Sequence, residues 1–168
     1  MSDLSALRRA KRPRTPLAGP YGHPFHAMLV TVPIGAWTGA LVFDLVSFFS
    51  GDPEAFVRGA KWLVGIGVIG ALVAAVFGLM DLSILTRGTK ARRVALTHMA
   101  LNIAAIVLFA VSFLLRLNGP QEGPAVAGFV AALVGFAAVG ASGFLGGELT
   151  YRHGVRVADE ETQAQAHR

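Results

Sequence analysis

Six ionisable residues, His23, His26, Asp81, His98, Glu148 and His153, stand where long apolar stretches begin or end, and the spacing of those stretches brings all six toward one side. Inside an apolar span an ionisable group is expensive, so each is by default a candidate to hold a ligand, a proton or a metal. His98 is the sharpest: it lies more than a turn inside the third stretch, with Asn102 one turn further along the same face to orient its ring. His26 opens the first stretch at a matching depth, three residues after His23. The positive end of a helix dipole disfavours imidazolium there and leaves a neutral ring able to ligate or to accept a hydrogen bond.

Three readings follow from these residues. In the first, His98 and His26 approach an iron from opposite faces of a b-type haem, with His23 or His153 as alternate ligands, and the chain carries electrons. In the second, His26, Asp81, His98 and Glu148 form a non-haem metal site or handle protons. In the third, the cluster is an inert hydrogen-bond network in a structural or assembly subunit of a membrane, respiratory complex. Each carboxylate alone would equally well pair with Arg87, Arg92, Arg93 or Arg152. Asp44 stands about five turns beyond His26, toward the opposite end, where Arg116, Arg58 or Lys61 would neutralise it. A structural ion pair of Asp44 with Arg116 is the expectation.

The elements that must position these groups are four helices. Apolar runs at about 24–49, 57–85, 93–117 and 124–151 each hold the roughly 20 apolar residues needed to cross a hydrocarbon core. Pro24 favours a first helical turn, Gly51-Asp52-Pro53 closes the first run, and Pro33 frees the carbonyl of Leu29 and kinks the helix. With 54% hydrophobic residues the chain is too apolar for a soluble globule of its length. The expected fold is all-α: an integral membrane four-helix bundle, up-down-up-down, over residues 21–157. Residues 1–20, basic and broken by Pro13, Pro16 and Pro20, read as a mobile tail, and residues 158–168 as a polar, solvated one.

The net charge of +5 sits in clusters beside the apolar runs, at Arg8 to Arg14, Arg87 to Arg93 and Arg152 to Arg156. That pattern is membrane topology and not a nucleic-acid footprint, and it places both termini in the cytoplasm of a multi-pass inner-membrane protein. The first apolar run is longer than the core of a cleaved signal peptide and reads as a retained helix. Without cysteine, the chain supplies no disulfide, thiolate zinc site, c-type haem link or iron–sulfur ligand. No nucleophile–base pair, phosphate loop or dinucleotide fingerprint is present, so the chain reads as no enzyme by itself. Its expected partners are the bilayer and a separate redox protein or respiratory subunit.

Two further patterns bear on assembly. His26-Ala-Met-Leu echoes His98-Met-Ala-Leu, and Asp81-Leu-Ser echoes Glu148-Leu-Thr, as in a duplicated helical hairpin that pairs His26 with His98 and Asp81 with Glu148. Gly70, Ala74 and Gly78 share a face of the second helix, and Gly140, Gly143 and Gly147 a face of the fourth, where small residues let helices approach, including those of a homo-oligomer.

Taken together, Gly22-His-Pro-Phe-His-Ala-Met-Leu-Val, Pro33-Ile-Gly, Phe43-Asp44, Gly78-Leu-Met-Asp81, Arg92-Arg-Val-Ala-Leu-Thr-His98 and Gly146-Gly-Glu-Leu-Thr-Tyr-Arg-His-Gly154 resemble the bacterial membrane-protein family known as domain of unknown function 2231. The resemblance spans about Tyr21 to Val157 and is most specific in the His-Pro-x-His and Gly-Gly-Glu-Leu segments. It implies a four-helix membrane unit and names no activity. Some relatives resemble fusions to a Rieske-type iron–sulfur domain, which implies electron transfer by association. This chain carries no such domain.

Overall fold

The structure, a computed structural model, describes residues 3–19, 22–120 and 123–168. Met1, Ser2 and Pro20 of the expected tail, and Tyr21, at which the resemblance begins, lie outside the described residues. The chain runs α1 (Asp3–Lys11), a 3₁₀ turn (Pro16–Ala18), α2 (Phe25–Leu29), α3 (Thr31–Ser47), α4 (Glu54–Ile84), α5 (Lys90–Leu117), α6 (Val126–Gly147), a π-helical turn (Glu148–Arg152) and α7 (Glu160–Gln165). Four spans, Phe25–Ser47, Glu54–Ile84, Lys90–Leu117 and Val126–Arg152, are long and apolar enough to cross a membrane. The fold is the all-α, four-span architecture that the sequence leads one to expect.

Local chemistry sets the boundaries. Pro33 has no N–H to give the carbonyl of Leu29, and the first span breaks at Val30 into α2 and α3. The chain nevertheless stays helical, because Ile34 N–H reaches the Val30 carbonyl at 3.2 Å. α4 begins a turn early, at Glu54, whose acid suits a helix start and meets Arg58 at 3.3 Å. α5 begins at Lys90 because the Thr89 hydroxyl caps it, accepting from Arg92 N–H at 3.3 Å.

Packing divides the spans into two hairpins, α2/α3 with α4 and α5 with α6, whose internal contacts are the most extensive in the molecule. The shared core is rich in small residues, Ala40, Ala60, Ala71 and Ala132, around Trp37 and Phe109. Large apolar side chains such as Trp62, Ile69, Leu72 and Phe144 point outward, as lipid-facing helices require.

The first span (α2/α3) and the third (α5) meet across the bundle axis at three levels. His26 faces His98 with ring centroids 6.3 Å apart, Trp37 stacks flat on Phe109 at 3.9 Å, and Arg116 grips Asp44. In each pair the residues are 72 positions apart, as the Asp44–Arg116 bond shows.

The described part of the expected mobile tail, residues 3–19, is folded against the bundle. Asp3–Lys11 is helical, Ala10 and Ala18 are buried, and Arg156 N–H donates to the Ala10 carbonyl at 3.0 Å. Lys11 Nζ also reaches Glu160 Oε1 at 2.6 Å, so the two terminal segments are tied together at one end of the bundle. Residues 158–168 are mostly exposed, and α7 is capped by Asp159, whose carboxylate accepts from Thr162 N–H at 2.8 Å.

Candidate functional site

His26 lies on the short helix α2 just before the break, and its ring lies against Gly78 of α4, where a Cβ would stand 3.0 Å from the imidazole. Its Nδ1 is 2.9 Å from the Ala74 carbonyl, to which it donates as the Nδ1–H tautomer. His98 on α5 repeats the arrangement against α6: Nδ1 is 2.8 Å from the Ser142 carbonyl, and Gly146 lies against the ring. Asn102 Nδ2 then donates to His98 Nε2 at 3.0 Å and to Ser142 Oγ at 2.7 Å. Both nitrogens of His98 are thus engaged. His26 Nε2 has no hydrogen-bond partner among the described residues.

The two carboxylates go elsewhere. Asp81 lies 3.1 Å from Arg156 Nε, and Glu148 accepts from Arg152 NH1 at 2.6 Å. Among the described residues no three of His, Asp and Glu converge to hold a metal ion, so the four-residue metal site expected of His26, Asp81, His98 and Glu148 is not assembled. Nor does His23 or His153 join the pair: the His23 carbonyl accepts from Arg156 NH2 at 3.1 Å, and His153 Nε2 is buried without a partner.

The expected haem does not suit this arrangement. His98 offers no free nitrogen to iron, because Nδ1 lies on the Ser142 carbonyl and Nε2 accepts from Asn102.

Arg156 is the residue that sequence reasoning passed over. It adopts a left-handed backbone conformation (φ 59°), follows the π turn, and returns beneath Asp81 with its side chain 5% exposed. Its NH2 bonds the Ala18 and His23 carbonyls, and NH1 is buried without a partner. Its place among three basic residues near the C-terminus gave no sign of this, because the turn that buries it is irregular. At the far end of the bundle Arg116 NH1 and NH2 bind Asp44 Oδ1 and Oδ2 at 2.6 and 2.7 Å, and Arg116 Nε donates to Ser112 Oγ at 3.2 Å.

Outside the spans, Asp159 and Glu160 ionise below the ordinary carboxylate range, the first chiefly through the Thr162 N–H and the second through Lys11. The glycines of α6 divide by face within the chain. Gly140, Gly143 and Gly147 face open space, while Gly128, Gly135 and Gly146 admit Arg116, Phe109 and His98.

No curated protein and no solved structure matches the chain. A family model does, over residues 22–159, the stretch that holds all four spans, the histidine pair and Arg156. The chain is a member of the family described as "Predicted membrane protein (DUF2231)".

Proposed function

We propose that the protein is a membrane-embedded proton-handling unit without haem, in which His26 and His98 hold one added proton between them. One observation carries this reading: His26 Nε2 is the nitrogen of the pair left without a hydrogen bond, while its Nδ1 is fixed on Ala74. A proton arriving at Nε2 makes an imidazolium against the His98 ring, and two imidazoles this close resist a second charge. Asp81, on the helix that carries Gly78, and its partner Arg156 form the polar step between His26 and the end where the termini meet. Other titratable or charged groups at that end include His23, His153, Glu148 with Arg152, Lys11 with Glu160, and Arg92, which donates to the Leu82 and Leu85 carbonyls. The basic clusters there support a cytoplasmic location for both termini.

The test is side-chain ¹⁵N spectroscopy of histidine in the reconstituted protein, titrated through the range in which free histidine changes charge. One proton per chain taken up at His26, and lost in His26→Gln, is the expected result. Both rings neutral throughout would sink the proposal.

A second reading, a cofactor-free structural subunit, is favoured by the Trp37–Phe109 stack, which closes the axis between the two polar levels. A silent titration together with a stable co-purifying complex would put that reading first.

A further inference from the structure

We infer that the two hairpins, residues 25–84 and 90–152, are copies of one unit related by a twofold axis along the bundle, and that Asp44 and Arg116 decide which hairpins pair. Residues that touch their own counterparts lie on a twofold axis. Three such contacts occur at one offset: His26 with His98, Trp37 with Phe109, and Asp44 with Arg116. The second helices repeat the pattern. Ala74 and Ser142 present carbonyls to the two histidines, Gly78 and Gly146 lie against their rings, and Gly67 and Gly135 admit Trp37 and Phe109. In this register Asp81 corresponds to Leu149 and not to Glu148, which corrects the pairing read from the short sequence echoes.

The copies differ where the charge lies. Around Arg116 stand Ser112, which accepts from its Nε, and Gly128, where a Cβ would come within 2.8 Å of the arginine Cγ. The equivalent positions beside Asp44 are Ala40 and Ala60, both fully buried. One hairpin is therefore built for an arginine on the axis and the other for a carboxylate. Two first hairpins would bury carboxylate against carboxylate and two second hairpins guanidinium against guanidinium, with no water to relieve either. Unlike hairpins alone can close, and within one chain they are neighbours. The inner face of each hairpin thus fits a second copy of this chain only when its own partner hairpin is mismatched.

The experiment uses full-length chains carrying two different tags in one membrane. Asp44→Arg with Ala60→Gly gives a chain with arginine at both axis positions, and Arg116→Asp gives one with aspartate at both. Expressed together, each chain's hairpins find their complement only on the other, so the two tags should co-purify as a dimer at least tenfold above tagged wild-type pairs. The chain combining Asp44→Arg, Ala60→Gly and Arg116→Asp restores the match internally and should accumulate as a monomer. Accumulation of that triple variant without co-purification of the mismatched pair would overturn the inference. So would co-purification of wild-type chains to the same extent, or failure of the triple variant to accumulate beyond either mismatched chain.

Discussion

Asp44 and Arg116 are each 1% exposed, and the pair is bidentate. Removing one partner leaves a bare charge inside the bundle, so Asp44→Ala or Arg116→Ala should each cost about 3–5 kcal/mol. Replacing both by leucine and methionine should cost much less, and thermal unfolding in detergent separates the two outcomes. A second expectation concerns the tie between the termini. Asp159 and Glu160 ionise more readily in the fold than in the unfolded chain, so their contribution is complete above the ordinary carboxylate values near 4. It is lost as pH falls through their lower folded values, and amide exchange in α7 should quicken across that interval and stay unchanged above it. At this scale the sequence was partly legible. Asn102 stands one turn beyond His98 and could be named as its orienting partner from spacing alone. Ser142 could not, because it comes from another helix and a serine among glycines carries no mark of what it faces. Asp44 had three candidate cations in the sequence, and Arg58 is drawn aside by Glu54 only once α4 starts early.

Among the elements, the four spans were legible because apolar runs of that length have no other stable use, and Pro33 announced the break between α2 and α3. α1 was not. Its residues are polar and basic on average, and helicity there follows from docking: Ala10 is buried and Leu7 lies against Gly154. The glycines give a direct check on helix packing. A methyl group at Gly67 would run into the Trp37 indole, and one at Gly135 would stand 3.1 Å from Phe109, so Gly67→Ala or Gly135→Ala should cost about 1–3 kcal/mol. Gly143→Ala meets nothing and should be neutral or stabilise by up to about 1 kcal/mol, the usual gain of alanine over glycine in a helix. Equal losses at all three positions, measured by thermal unfolding, would contradict the packing described. The sequence showed stripes of small residues but not which stripe was inward, since both faces of a span in lipid are apolar.

For the molecule as a whole, both ends of the chain meet on one side, through Lys11 with Glu160 and Arg156 with Ala10. Reporter tags on the two termini should therefore share one compartment, and a tag in the loop between α3 and α4 should lie in the other. Clusters of arginine made the shared side legible, and the sequence already paired His26 with His98 and Asp44 with Arg116, whereas the Trp37–Phe109 level that joins them into one axis looks like ordinary core and needed coordinates. That middle level also makes the protein its own optical gauge. Of its two tryptophans, Trp37 is 3% exposed and stacked on a phenylalanine, and Trp62 is 63% exposed on the outer surface of α4. Lipids with brominated tails should extinguish the emission of Trp62 and spare that of Trp37, so the residual fluorescence in such vesicles reads the state of the bundle's centre with no label added.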